Sequence, residues 1–147
     1  WRVRFDPKFG GPARLDFPTL TDWRERPEIR HYSGKAIYET RFDAPKEVNT
    51  LSLGRVANAA SVRLNGRDLG TVWSAPWTVR IPKGLLRPKG NVLQVTVANL
   101  WVNRLIGDAG LPAEKRITKT TWSPFRPDSE LQPSGLLGPV TLMRKDP

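Results

Sequence analysis

The residues with the most varied chemistry lie in one stretch that shows no sustained period, from Leu100 to Ser134. There Trp101 stands with Asn103, Arg104 and Asp108, and further along Trp122 stands with Arg116. Flat apolar rings beside an amide, a carboxylate and guanidinium groups offer a stacking surface with hydrogen-bond donors and acceptors around it. Loop residues held on a rigid scaffold carry function more often than strand residues do. A structural reading stands beside this one, in which the tryptophans pack in a core and Arg104 with Asp108 forms an internal pair.

Covalent and acid–base chemistry find less support. The 147 residues contain no cysteine, which excludes a thiol nucleophile, a disulfide framework and a cysteine-ligated metal. His31 is the one histidine, and its place beside Tyr32 and before Ser33-Gly34 suits a surface or capping role. Fourteen acidic residues make some pair inevitable by chance, and no spacing among them stands out, Asp108 with Glu114 included.

Twenty-four Lys and Arg against those 14 acids give a net charge of +10, which attracts any polyanion. The basic residues are spread along the chain, as on a solvated surface, and the interleaving of aromatic and basic residues that marks a single-stranded nucleic-acid groove is missing. No apolar stretch reaches the length that crosses a membrane. Neither a nucleic-acid nor a membrane partner is expected. The opening Trp1-Arg2-Val3-Arg4-Phe5 is not a signal-peptide pattern, and the chain is expected to be cut from a longer parent.

The scaffold that must carry these side chains reads as all-β. Fourteen prolines and 12 glycines punctuate short runs rich in Val, Ile, Thr, Trp and Leu. Alternation predicts strands at 1–6, 36–43, 50–54, 61–64, 68–73, 77–81, 92–98 and 139–144. Asn65-Gly66 supplies the positive backbone angles of a tight hairpin, and Val92 to Ala98 has the pattern of a central strand. Thr21 to Pro27 allows one or two helical turns. Residues 1–147 are read as a single module, a β-sandwich or jelly roll with a long irregular segment over 100–134. Trp1, Trp23, Trp73 and Trp77 are expected in the core or at its edges.

Four segments in order carry a family resemblance: Ser33 to Phe42, Val62 to Gly70 with its Asn65-Gly66 and Leu69-Gly70, Gly90 to Val97, and Ser134 to Val140. Together they resemble the sugar-binding jelly-roll domain of family-two glycoside hydrolases. Asn99 to Asp108 and Pro133 to Val140 look closer still to the carboxy-terminal domain of large bacterial α-L-rhamnosidases. The resemblance implies a galactose-binding-like sandwich, with the loop after Asn99 facing a neighbouring catalytic barrel that these residues do not include. It implies no cofactor, although related sandwiches often hold one structural calcium.

Under that resemblance, Trp101, Asn103, Arg104, Asp108, Arg116 and Trp122 become candidate carbohydrate-binding residues, with no catalytic residue assigned. The leading expectation is a non-catalytic accessory module of a rhamnosidase-like enzyme, extracellular or periplasmic. Its partners would be the parent's catalytic domain and a plant or algal polysaccharide, for which the positive charge suits uronate-containing chains. A purely structural interdomain module is the second reading, and it expects Trp101 and Trp122 to be buried. An independent glycosidase is the third, and it needs two carboxylates flanking a sugar site.

Overall fold

Alternation along the chain builds the larger of the facing layers in the computed structural model, which describes residues 1–44 and 47–144. Strands β1 (Arg2–Arg4), β2 (Leu15–Asp16) and β3 (Lys35–Phe42) begin the chain, and β4 (Thr50–Ser52), β5 (Arg55–Ala57), β6 (Ala59–Leu64) and β7 (Arg67–Val72) follow. After them come β8 (Thr78–Arg80), β9 (Asn91–Ala98), helix α1 (Val102–Ala109), β10 (Gly135–Gly138) and β11 (Thr141–Met143). The six-stranded sheet runs β2-β1-β3-β9-β6-β7, and smaller sheets run β11-β4-β8 and β10-β5. Every strand pair within these sheets is antiparallel. No helix among the described residues is long and apolar enough to cross a membrane.

The protein is an all-β sandwich because alternate side chains of these sheets share one interior. In β9, Leu93, Val95 and Val97 are buried between partners on both sides, β3 and β6, so the strand predicted to be central is central. They share one core with Leu51, Val56, Val79 and Leu136 from the smaller sheets and with Leu53 just after β4. Full burial of one such aliphatic side chain contributes about 1.5–3 kcal/mol. The predicted hairpin closes as expected: Asn65 and Gly66 have φ of 52° and 82°, which only residues tolerant of the left-handed region supply cheaply.

The segment between β2 and β3 closes one end of the interior. Asp22 caps a 3-10 turn at Trp23–Glu25 by accepting from the Arg24 amide, and this turn delivers Trp23 into the core. Phe5, Trp23 and Tyr32 pack edge to face with centroids 5.0 to 5.5 Å apart. Trp23 Nε1 donates to the Tyr38 hydroxyl at 2.6 Å, which also accepts from the Leu136 amide at 3.2 Å. Gly135, at φ 104°, allows this approach, since a Cβ there would lie 2.5 Å from the Trp23 indole nitrogen.

Three expectations need correction. The stretch 100–134 is not wholly irregular: it holds α1, where Val102, Leu105, Ile106 and Ala109 keep helical spacing for only two turns, and whose buried positions also carry Asn103, Arg104 and Asp108. Trp73 is 73% exposed rather than packed, just past the end of β7 at the edge of the six-stranded sheet. The described residues contain eleven strands rather than eight, the additions being short pieces such as β2 and β5.

Candidate functional site

Asn99 fixes where the chain leaves the sheet. At this end of the six-stranded sheet Lys35 of β3, Ala98 of β9 and Ala59 of β6 lie in register. Asn99 accepts from the Gly34 amide at 2.9 Å and donates to the Tyr32 carbonyl at 2.9 Å and the Ser134 hydroxyl at 3.1 Å. One amide thus ties two passing segments, 32–34 and the one through Ser134, and α1 starts three residues later. The Ser33 hydroxyl adds to this by donating to the Leu100 carbonyl and accepting from the Arg104 amide.

The inner face of α1 is a polar framework. Asn103 exchanges two hydrogen bonds with the Gln132 backbone, both at 2.7 Å, and donates a third to Ser134. Arg104 Nε lies 3.1 Å from Asp108 Oδ1, one helical turn away, with both side chains almost fully buried. These two atoms face each other as an ion pair without an aligned hydrogen bond. Asp108 Oδ2 instead accepts from the amide and hydroxyl of Thr118 at 2.7 and 2.5 Å. Burial pushes the Asp108 carboxyl up, but the Thr118 bonds and the Arg104 charge outweigh it and hold the group below the ordinary carboxylate range.

His31 packs on the same helix. A Cβ on Gly107 would fall 2.7 Å from both His31 Cγ and Arg104 Nη2, so the helix needs glycine there for these groups to approach. Burial, then the charges of Arg30 and Arg104, push the imidazole pKa down against the pull of Asp108. His31 is thus a half-buried packing group against α1, where a surface or capping role was expected.

Outside α1, the segment from Leu111 to Pro127 forms a strap. A 3-10 turn at Ala113–Lys115 starts it, and Arg116 Nε holds its base by donating to the Leu111 carbonyl at 2.8 Å. Thr120 Oγ1 donates to the Trp122 carbonyl at 2.6 Å and accepts from the Trp122 amide at 3.3 Å. Between the strap and the outer side of α1 lies an open groove of about 720 Å³, walled by Leu105, Ala109, Arg116, Thr118, Trp122 and Phe125 among others. That volume falls within the roughly 300–1,000 Å³ of small-molecule sites.

The six candidates divide cleanly by position. Asn103, Arg104 and Asp108 are brought together beneath the surface with their polar groups turned to one another and to the backbone. Arg116 and Trp122 are exposed on the groove, where the indole is 75% accessible. Trp101 is 47% accessible and packs edge to face on Phe9 at 5.7 Å, beyond the residues that line the groove. Both tryptophans are thus exposed, against the expectation of the purely structural reading. Lys119, Thr118 and Phe125 were not singled out from the sequence, since a groove wall made by a strap leaves no period.

The arrangement can stack an apolar face on Trp122 and offer cationic donors beside it. Of the acids lining the groove Asp108 is the one described, and its carboxylate is already engaged. Glu114 sits on an exposed turn. Among the described residues no three of His, Cys, Asp and Glu gather to hold a metal, so the calcium that the resemblance implied gains no acidic cluster.

Over 97% of its length the chain is similar to a rhamnosidase from Novosphingobium sp. PP1Y, with 39% identity and a TM-score of 0.88, yet it covers 14% of that chain. A putative beta-glucuronidase from Formosa agariphila is 32% identical over an aligned stretch that takes in 97% of this chain and 15% of the relative. A beta-glucuronidase from Ruminococcus gnavus shares the fold, at 22% identity and a TM-score of 0.56 over 67% of this chain. No family model matches. These residues thus correspond to a small, domain-sized part of much larger proteins.

Proposed function

We propose that this chain, a small domain of the kind found within larger glycoside hydrolases, is a non-catalytic accessory module that binds carbohydrate beside a separate catalytic domain. The observation that carries the binding half is the exposed indole of Trp122 over a groove rimmed by hydrogen-bonding and cationic groups. Sugar recognition needs an aromatic face for the C–H side of the ring and polar groups for its hydroxyls. The accessory half draws support from the similarity to a rhamnosidase of which the chain covers 14%. In this reading Trp122 and Arg116 contact the glycan, and Asn103, Arg104 and Asp108 position the strap that carries them. The working environment is outside the cytoplasm, where polysaccharide is met.

Isothermal titration of the 147-residue protein against rhamnose-containing oligosaccharides tests the proposal. Heat is expected at millimolar ligand and is lost in Trp122→Ala. No heat with an intact fold would leave the module as a structural spacer, which the hydrogen bonds that absorb Asn103 and Asp108 would then explain by themselves.

A further inference from the structure

We infer that the groove between α1 and the strap selects acidic glycans, seating the carboxylate of a uronate residue against Arg116 and Lys119 while Trp122 stacks on a ring; this rests on the carbohydrate-binding reading above. The charges lining the groove carry the argument. Arg116, Lys119 and Arg126 face one acid, Asp108. That acid is withdrawn from the groove by Arg104 at 3.1 Å and by two bonds from Thr118. Arg126 is also withdrawn, since its guanidinium pairs with Asp128 at 3.2 Å.

Two cations remain uncompensated. Among the described residues Lys119 makes neither an ion pair nor a hydrogen bond, and Arg116 uses Nε alone, on the Leu111 carbonyl. Tethering Nε orients the guanidinium and leaves both terminal nitrogens to a ligand. A carboxylate adds a counter-charge that a neutral hydroxyl lacks, and guanidinium matches a carboxylate in two-point geometry. A neutral sugar offers these cations its hydroxyls alone, without a counter-charge.

The alternative polyanion is a single-stranded nucleic acid. Its backbone is tracked by a stripe of cations beside several stacking rings. The groove has one exposed indole, a half-buried Phe125 and two free cations, which suit one or two sugar residues better than a run of nucleotides.

The test compares an oligogalacturonate with the same oligosaccharide after its carboxyls are reduced to alcohols. The acidic form is expected to bind up to roughly tenfold more tightly than the reduced form, as two exposed ion pairs supply. That preference should shrink from about 0.05 to about 0.5 M NaCl as salt screens the exposed charges. The double variant Arg116→Gln with Lys119→Gln should abolish the preference, whereas Lys83→Gln with Lys89→Gln, which removes two charges outside the groove, should not. Equal binding of the acidic and reduced forms would overturn the acid selectivity and leave the carbohydrate reading standing. No binding of either would overturn both. Equal losses from the two double variants, or oligothymidylate binding as tightly as the uronate, would also overturn the inference.

Discussion

Asp108 and Thr118 are ten residues apart, and a single carboxylate oxygen joins them by accepting from both the amide and the hydroxyl of Thr118, at 2.7 and 2.5 Å. This contact anchors the strap to a helix that is itself locked to the sheet end through Asn99, Ser33 and Asn103. The other oxygen of Asp108 faces Arg104, so one buried group serves fold and groove together.

Replacing Asp108 by Asn should therefore cost more than a surface change. It leaves the Arg104 guanidinium buried without its counter-charge, and breaking such a pair costs about 3 kcal/mol. Urea denaturation should show that loss, and amide hydrogen exchange at Thr118 should rise more than at Val95 in the central strand. An unchanged exchange rate at Thr118 would mean that the strap is held by other contacts.

Acid should weaken the same anchor. The folded carboxyl of Asp108 titrates below its unfolded value, so its contribution is fully present above the ordinary carboxylate pKa of about 3.9 and is lost as pH falls through the folded value. Stability measured from pH 7 downward should fall in that window for the natural protein. The Asp108→Asn variant should show a shallower fall.

Gly107→Ala probes the approach of His31 to the helix. The added methyl meets His31 and the Arg104 guanidinium at 2.7 Å, and overpacking of this kind costs typically 1–3 kcal/mol. A helix-favouring substitution that nevertheless lowers the melting temperature is the expected sign. A rise in melting temperature would show that His31 can move aside at little cost.

Tyr38 receives two N–H donors in the core, and Tyr38→Phe leaves Trp23 Nε1 and the Leu136 amide without an acceptor. Each unsatisfied buried donor costs about 1–3 kcal/mol. Burial, against those two bonds, also pushes the Tyr38 hydroxyl up to about 12. Its folded value lies above the unfolded one, so this contribution is present below about pH 10 and is lost as pH rises toward the folded value. Burial raises Tyr32 as well, so ultraviolet titration should show both tyrosines ionising above the ordinary value, with the alkaline loss of structure accompanying Tyr38.

These residues also show where the sequence is legible. Val92 to Ala98 and Asn65-Gly66 could be read because each has a local cause, alternation in the first and positive backbone angles in the second. Helix α1 escapes this reading, because the helical spacing of Val102, Leu105, Ile106 and Ala109 lasts only two turns and polar residues held by an ion pair and side-chain bonds fill most of its buried positions. Phe17, Trp23, Ile29 and Tyr32 fill the core without period, and Asp22 ties the turn that carries Trp23 to the Ser134 amide, far along the sequence. At the groove, Trp122 and Arg116 could be picked out by residue type, whereas Thr118 depends on a tertiary contact that no local pattern encodes.

Trp23 and Trp122 separate packing from recognition. Trp23 is fully buried and hydrogen-bonded, so Trp23→Ala should cost about 3–5 kcal/mol. Trp122 has three quarters of its surface in solvent, and Trp122→Ala should change stability by no more than about 0.5 kcal/mol. Differential scanning calorimetry of both variants checks this contrast. If Trp122→Ala melts with the natural protein, any glycan affinity it loses belongs to the indole face itself. A large stability loss on removing Trp122 would instead assign the ring to holding the strap, and the case for a stacking platform at the groove would be gone.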